Sequence, residues 1–416
     1  MKKRMAGRNA VFAACWFTYV VAYLCRVNFS SAMLKLSGEM QVSAAQLGAA
    51  GSAFFVVYAL GQLVNGYIGD KISPYRFVTI AICGTGVLNL AIAMVDEYLP
   101  LLVLWTLNGY FQSMLWGPLM RILSQWFEAR HTMRISVGMS MSMVVGYITS
   151  WAVFGRSFLY HPWQLYFFAP ALLALATGLL WAVGLRGGAP PAAQEGRTPA
   201  PRGGLAGIVR GQRLWLVALV CLCMGLIKES LSLWAPLLLT EMLGIGAEDS
   251  LLLVVVIPLA NLLGILTAGR LMRRKNDVKK TLFSLFFAAF CCSASLFLLY
   301  RVSPVASVLA IAAVSGLMYG CNSLLLSYLP ISFGGANIVS TLVGMFDFSS
   351  YIGAALSSVL LGFALENKNY PAVFGAWAAV LAAAWGMTLL FKLKRSGQSE
   401  ENKNEVKQCH RVRSAR

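Results

Sequence analysis

Two basic residues, Arg26 and Lys228, lie in the middle of long apolar stretches of the chain. Each has at least ten residues of its stretch on either side, which argues against a side chain that reaches an end of the stretch by extending along it. A charge at the centre of a bilayer costs at least about 2.5–3.5 kcal/mol on insertion scales. A guanidinium binds phosphate or carboxylate through paired N–H donors, and an ammonium acts as a point charge. Two such cations facing one cavity predict a binding site for an anion.

Two tyrosines share a helix face with Arg26. Tyr19 and Tyr23 precede it by seven and three residues, which is the spacing of neighbours on one side of a helix. Packing in the core or at the membrane interface is the commoner role of a single tyrosine. The shared face favours a second interpretation, in which both hydroxyls donate to the oxygens of the anion.

Acidic residues near the cations leave alternatives open. Glu229 follows Lys228 directly and Glu241 lies near the end of the same stretch, so Lys228 could instead belong to a structural ion pair. Adjacent helical residues point about 100° apart, and Glu229 therefore need not contact the ammonium. Asp347 is interpreted as a counter-ion to Lys228, as a proton carrier, or as a solvated residue near the start of its helix.

Membrane-spanning helices must position these residues. Of the 416 residues, 58% are hydrophobic and 12% are charged, and the mean hydropathy is +0.68. About a quarter of the residues are charged in a soluble chain, and a run of about 20 apolar residues crosses the hydrocarbon core. Barrel strands of alternating polarity are absent, which leaves helices. The predicted spans are residues 10–36, 46–69, 76–95, 99–126, 133–155, 163–185, 213–242, 250–272, 279–301, 304–332, 337–363 and 370–393.

A linker separates the spans into two sets of six. In residues 187–212, 11 of 26 residues are Gly or Pro, which predicts a flexible cytoplasmic segment. The sequence thus predicts an all-α polytopic membrane protein. Its predicted parts are an N-terminal six-helix bundle (1–186), the linker (187–212), a C-terminal six-helix bundle (213–394) and a basic cytoplasmic tail (395–416).

The basic residues collect on one side of the predicted membrane. Of 34 lysines and arginines, 27 fall in the N-terminus, the linker, the tail and alternate loops. The positive-inside rule then places both termini in the cytoplasm, with the chain as a multi-pass protein in the lipid bilayer of the cytoplasmic (inner) membrane. The formal charge of +18 is explained by topology, so nucleic acid is not a predicted partner. No metal-ligand spacing and no nucleophile–base pair occur, so neither a metal, a cofactor nor an enzyme is predicted.

Two motifs recur at nearly the same offset. The segment beginning at Arg26 lies 202 residues before the one beginning at Lys228, and the loop 66–76 lies 203 residues before the basic loop 269–275. The agreement predicts a duplication, so the two cations occupy equivalent positions in two pseudo-symmetric halves around one central site. The positions that carry the first loop pattern, for which a conformational role is predicted, are Gly66, Asp70, Lys71 and Arg76.

The loop resembles the signature between helices two and three of the major facilitator superfamily, although its second copy has Arg273 where an acid often sits. Residues 19–33 and 108–127 are similar to helices one and four of the organophosphate:phosphate antiporters, the family of the glycerol-3-phosphate and hexose-phosphate transporters. Lys228, followed by Leu231 and Trp234-Ala-Pro236, matches helix seven, where that family usually has arginine.

This resemblance implies that the two cations hold the phosphate of the substrate, with tyrosines from both halves around it. Three positions depart from the glycerol-3-phosphate transporters: Ser142 replaces a histidine, Gln62 a lysine and Gly225 a tyrosine, so the organic part of the substrate is not carried over. The substrate-binding residues that follow are Arg26, Lys228, Tyr19, Tyr23, Tyr319, Tyr351, Asn28, Ser142 and Gln62, with Asp347 as a proton or counter-ion site.

The predicted function is alternating-access transport of a phosphorylated organic anion in exchange for inorganic phosphate, by a monomer. An empty site would bring two like charges together on closure, whereas a phosphate would bridge them, so exchange would be obligatory. One alternative is a proton-coupled symporter of carboxylates or sugar acids such as hexuronates, whose family shares an Arg-x-Asn in helix one. Another is a non-transporting sugar-phosphate sensor of the same fold that signals to a membrane kinase.

Overall fold

Helices make up nearly all of the regular structure, since backbone groups in lipid must be satisfied within each segment. The computed structural model describes residues 2–128, 131–184, 213–332, 339–367 and 369–391, and no strand occurs in these ranges. In chain order the helices are α1 (Lys2–Glu39), α2 (Ala44–Lys71), α3 (Pro74–Ile92), α4 (Tyr98–Ser113 and Trp116–Trp126), α5 (Thr132–Ile148, continued by the π-helical Thr149–Gly155), α6 (Leu165–Gly184), α7 (Leu214–Leu243), α8 (Ala247–Leu253 and Val256–Lys275), α9 (Val278–Val302), α10 (Pro304–Asn322, continued by the π-helical Ser323–Tyr328 and by Leu329–Ser332), α11 (Val339–Glu366) and α12 (Tyr370–Thr388).

The twelve predicted spans correspond to these twelve helices, which confirms the predicted fold class. Within the described ranges, eleven helices are long and apolar enough to cross a membrane. The remaining one is α4, whose two pieces of 16 and 11 residues are each too short alone. The predicted boundaries differ most at α1, which begins at Lys2 rather than at residue 10 because its basic first turns continue the helix beyond the apolar run.

Proline interrupts two of the helices. Pro118 lacks the N–H that would bond to the carbonyl of Met114, and its ring crowds that carbonyl, so α4 is broken there. Pro258 stands in the same relation to Val254 and interrupts α8. The break in α4 begins two residues after Gln112, whose side chain reaches Arg26.

Glycines let helices approach at backbone distance, both between the two predicted halves and within the second one. A Cβ atom at Gly344 of α11 would lie 2.4 Å from the carbonyl oxygen of Gln62 in α2. A Cβ atom at Gly225 of α7 would lie 1.8 Å from the carbonyl oxygen of Ser350 in α11. Small residues are typical of helix crossings in membranes, where van der Waals contact holds the helices together. Through these crossings α11 packs closely against both α2 and α7.

Some predicted features lie outside the described residues. The linker at 187–212 and the tail at 395–416 lie outside the described residues. The division into two bundles joined by a linker therefore stays a prediction. The side chains of Asp70 and Lys71, two members of the predicted loop motif, also lie outside them.

The rest of the loop motif is anchored through its backbone. Arg121 of α4 donates to the carbonyl oxygens of Gly69 and Ile72, the second at 2.9 Å. Gly66 lies in the last turns of α2, and Arg76 is exposed in the first turn of α3. The loop after α2 is therefore tied to the second piece of α4, and its conformational role stays a prediction.

Candidate substrate-binding site

Arg26 is oriented by side chains from four helices. Arg26 is buried, with 6% of its surface exposed. Nε donates to Gln112 Oε1 at 2.9 Å, and Nη1 donates to the Tyr351 hydroxyl at 2.5 Å. The guanidinium carbon lies 4.5 Å from the ring centre of Tyr58 and 5.0 Å from that of Tyr23, so cation–π attraction contributes as well. Partners from α1, α2, α4 and α11 thus hold one buried guanidinium without neutralising it.

A row of tyrosine rings leads from Arg26 toward Lys228. The ring centre of Tyr23 lies 5.3 Å from that of Tyr147, which lies 6.1 Å from that of Tyr319. The Lys228 ammonium lies 4.9 Å from the Tyr319 ring centre. The two predicted cations are therefore linked through α1, α5, α10 and α7 by aromatic contacts.

Lys228 forms an ion pair with the residue next to it. Its Nζ contacts Oε1 of Glu229, and the two side chains are 4% and 2% exposed. The expectation that these neighbours need not meet is wrong, because the flexible four-carbon lysine stem bends back along its own helix. Within the described part of the chain, the Lys228 ammonium is therefore the partner of Oε1. Of the alternatives left open for Lys228, the structure shows the ion pair.

Asp347 adds a second buried carboxylate. It is 7% exposed, and its Oδ2 accepts a hydrogen bond from Gln62 Nε2 at 3.1 Å. Three charged side chains lie close enough to act on this carboxylate, namely Lys228, Glu229 and Arg26. Because α11 begins two turns earlier, at residue 339, Asp347 is not a solvated helix start. The counter-ion and proton-carrier interpretations both remain compatible with this position.

A cavity that is partly open to solvent lies beside the buried charges. Arg26 and Glu229 face it, whereas Lys228 and Asp347 are not in its wall. The cavity therefore has one cationic and one anionic group on its surface. The full lining is Arg26, Val27, Ser30, Gly51, Phe54, Phe55, Trp105, Tyr147, Glu229, Ser232 and Leu233.

The buried charges balance one another. Arg26 and Lys228 carry two positive charges, and Glu229 and Asp347 carry two negative charges when ionised. Uncompensated charge inside a bundle is far more costly than a paired one, so the balance explains how four ionisable groups stay buried together. It also corrects the expectation of two like charges meeting in the empty site, since carboxylates accompany them.

Three predicted site residues have partners away from the cavity. Tyr19 packs against Trp116, with ring centres 4.4 Å apart. Asn28 Nδ2 donates to Asn89 Oδ1 at 2.8 Å, which joins α1 to α3. The Ser142 hydroxyl donates to a carbonyl of its own helix, α5. None of these three lines the cavity, and their role in binding stays a prediction.

The structure accounts for the glycine at position 225. The resemblance places a tyrosine there in the glycerol-3-phosphate transporters, whereas in this chain the backbone of α11 at Ser350 occupies the space that a side chain would need. A tyrosine at position 225 would therefore not fit the crossing of α7 and α11 in this chain.

Four site residues were not among those predicted from the sequence. Gln112 and Tyr58 contact Arg26, and Tyr147 and Glu229 line the cavity. Tyr58 stands four residues before Gln62, so the shared face of α2 was a usable signal. Gln112 lies in the fourth-helix motif, but only the packing of α4 against α1 shows that it reaches the guanidinium.

Apolar helices that surround a balanced set of buried charges and a cavity are the architecture of a membrane transporter. The family profile of the Major Facilitator Superfamily matches residues 15–358. The chain therefore belongs to the major facilitator superfamily and is a multi-pass secondary transporter. The prediction that it is not an enzyme is confirmed by this family.

Among the relatives of the chain are proteins named as carriers of phosphorylated compounds and a membrane sensor. The chain is 23% identical over 396 residues to the glycerol-3-phosphate transporter of Bacillus subtilis (strain 168), covering 88% of each chain. It is 25% identical over 295 residues to a probable hexose phosphate transport protein of Chlamydia pneumoniae, covering 64% of this chain and 65% of that protein. It is 22% identical to the membrane sensor protein UhpC of Salmonella typhimurium, covering 93% and 91%.

A solved structure matches the fold over nearly the whole chain. It is a bacterial homologue of the human lysosomal transporter Spinster in an inward-facing, occupied conformation, with a TM-score of 0.61 and 16% identity. The match covers 92% of this chain and 94% of that one. At this identity the likeness shows the fold alone.

Proposed function

We propose that the protein moves a phosphorylated organic anion across the cytoplasmic membrane by alternating access, in exchange for inorganic phosphate, with both termini in the cytoplasm. The observation that carries this proposal is Arg26 in the cavity wall. A guanidinium has five N–H donors, and the hydrogen bonds to Gln112 and Tyr351 use two of them. The remaining donors suit the oxygens of a phosphate.

Lys228 has a conditional role in this proposal. A phosphate bound at Arg26 competes with Glu229 for the Lys228 ammonium, and the long lysine side chain lets the charge turn from one to the other. The ion pair then neutralises the cation when the site is empty, and the phosphate does so when the site is loaded. Similarity to carriers named for glycerol-3-phosphate and hexose phosphate supports the choice of substrate class.

The direct test is exchange of labelled phosphate in proteoliposomes. We expect Arg26→Ala and Lys228→Ala to abolish phosphate self-exchange, because each removes a cation that no neighbour replaces. Lys280→Ala, at an exposed lysine in the first turn of α9, is the matched control and should retain wild-type exchange. Undiminished exchange in both cavity variants would overturn the assignment. Exchange by the wild-type protein would also exclude the non-transporting sensor suggested by the similarity to UhpC.

The second candidate is proton-coupled symport of an anion such as a sugar acid. The observation in its favour is the pair of buried carboxylates, Glu229 and Asp347, beside two cations. A carboxylate that takes up a proton would offset the negative charge of an incoming anion. Symport requires uptake to depend on a proton gradient, whereas exchange against phosphate does not.

A further inference from the structure

We propose that the substrate carries an ammonium group in addition to its phosphate, and that Glu229 is the residue that binds the ammonium. This inference rests on the proposed function and names the substrate class more closely, as an aminoalkyl or amino-sugar phosphate. Arg26 would hold the phosphate end and Glu229 the amine end of one molecule.

The cavity wall supplies the first argument. Of the four buried charges, Arg26 and Glu229 line the cavity, while Lys228 and Asp347 are not in its wall. A ligand that fills this space therefore meets one cation and one carboxylate. A ligand with only negative groups would place one of them against Glu229, whereas an ammonium there forms a charge-assisted hydrogen bond.

The state of the Glu229 carboxylate supplies the second argument. The residue is 2% exposed, and its Oε1 contacts the Lys228 ammonium. A carboxylate offers about four acceptor positions, so Lys228 leaves room for a second donor. An ammonium on a bound ligand would use one of the remaining acceptor positions of this buried carboxylate.

Aromatic residues on the same wall supply the third argument. Tyr147 of α5 and Phe55 of α2 line the cavity together with Glu229. Rings of this kind attract ammonium groups through their π faces, an interaction that strengthens when water is excluded. The lining therefore combines a guanidinium, a carboxylate and aromatic surface.

The charge balance supplies the fourth argument. The four buried groups already sum to no net charge when ionised, so a phosphate ester without a cation adds its whole negative charge to a buried site. An ammonium reduces that addition by one charge. A primary amine retains its proton at neutral pH, since the ordinary pKa of such a group is near 10.

A pair of ligands of nearly equal size tests the inference on the full-length purified protein. Binding of O-phosphoethanolamine is compared with binding of 2-hydroxyethyl phosphate, in which a hydroxyl replaces the amine, by calorimetry at neutral pH. We expect the amine to bind at least about tenfold more tightly to the wild-type protein. In Glu229→Gln the preference should fall to about twofold or less, whereas Glu229→Asp should retain part of it. Glu241→Gln, at an exposed glutamate of the same helix, should keep the wild-type preference.

The outcomes separate this inference from the proposed function. Equal binding of both esters to the wild-type protein overturns the ammonium site and leaves phosphate transport standing. The ammonium site is also overturned if Glu229→Gln binds both esters more tightly by the same factor, since Glu229 would then act only as the counter-ion of Lys228. Failure of the wild-type protein to bind either ester or inorganic phosphate overturns the proposed function itself. The wild-type comparison needs no folded variant, so a poorly folded Glu229→Gln does not remove the test.

Discussion

The charge of Arg26 inside the bundle is stabilised by neutral polar and aromatic side chains, which take the place of water around the guanidinium. Gln112 accepts from Nε at 2.9 Å and its own Nε2 donates to the Cys25 carbonyl at 2.9 Å, so the amide is fixed at both ends. The Tyr351 hydroxyl, which lies in the opposite half of the chain, accepts a hydrogen bond from Nη1 of Arg26. None of these partners carries an opposite charge, which leaves the guanidinium available to an anion.

At the residue scale, Gln112 is predicted to position Arg26 for binding. Gln112→Leu leaves the Arg26 Nε–H without its partner in a site that water barely reaches, and the Cys25 carbonyl keeps only the hydrogen bond from Asn108 Nδ2 among its two side-chain donors. A hydrogen bond to a charged group contributes about 1.5–3 kcal/mol, so we expect phosphate affinity to fall by about tenfold or more. Calorimetric titration with inorganic phosphate measures this loss.

The matched control for that variant is Gln164→Leu. Gln164 bonds to the exposed Asp96 and lies outside the cavity wall, so the same substitution there should leave the phosphate affinity unchanged. Equal affinity of Gln112→Leu and the wild-type protein would show that Arg26 does not need this partner.

Sequence analysis located the buried cations but not all of their partners. Counting residues along an apolar run was enough to place Arg26 and Lys228 far from either end. The contact between Lys228 and Glu229 could not be derived in the same way, because it depends on a side-chain rotamer rather than on helix periodicity. Tyr58 and Tyr147 were missed since their roles depend on which helix faces pack together.

At the element scale, glycines set how closely helices cross. Within α8 and α10, a Cβ at Gly264 would lie 1.8 Å from the carbonyl oxygen of Gly316, and one at Gly316 would lie 2.3 Å from that of Ala260. In each case the obstructing atom belongs to a backbone, which cannot move aside as a side chain could. These crossings were not predicted, because a glycine in an apolar run has the same appearance whether it faces lipid or another helix.

The crossing of α7 and α11 gives a prediction for stability. In Gly225→Ala the added methyl meets the Ser350 carbonyl, so the helices must separate. Overpacking of this kind costs about 1–3 kcal/mol, and we expect a lower unfolding temperature for the purified protein. Thermal unfolding followed by tryptophan fluorescence in detergent measures the change.

The comparison variant for this crossing is Gly386→Ala in α12. No atom lies within 4 Å of a Cβ at that position, so alanine should be tolerated or should stabilise the helix by ~0.5–1 kcal/mol. If Gly225→Ala unfolds at the same temperature as Gly386→Ala, the close approach of α7 and α11 does not limit stability.

At the scale of the whole molecule, the site joins the two predicted halves. Asp347 of α11 accepts from Gln62 of α2, and Arg26 of α1 donates to Tyr351 of α11. The number of spans and their apolar length followed from the apolar runs along the sequence. The contact of the two halves around four buried charges could not be predicted from the sequence, because it depends on how helices distant in sequence face one another.

Removal of Asp347 is predicted to alter the transport cycle. Asp347→Asn leaves the empty site with an excess positive charge, and a charge in a buried site contributes ~1–2 kcal/mol at an effective dielectric of about 20. We therefore expect inorganic phosphate to bind about tenfold more tightly. Exchange should persist while net efflux into phosphate-free medium slows, since the empty carrier no longer closes as a neutral site. Labelled phosphate efflux from proteoliposomes, with and without external phosphate, measures both rates.

Asp96→Asn provides the control for that experiment, because Asp96 is exposed and an asparagine can still accept from Gln164. Under the symport candidate the result differs: Asp347→Asn would abolish the dependence of uptake on external pH. A variant with unchanged affinity, unchanged efflux and unchanged pH dependence would exclude a role for Asp347 in either cycle.

The balance among Arg26, Lys228, Glu229 and Asp347 also has an electrical consequence. A membrane potential acts on any net charge that crosses the bilayer, with about 2.3 kcal/mol per elementary charge for each 100 mV. In the proposed exchange the loaded carrier makes both crossings, and the four groups themselves add no net charge to it when ionised. The voltage dependence of the full cycle is then that of the bound substrates alone, so a current recorded across the membrane would report the charge difference between the two exchanged anions.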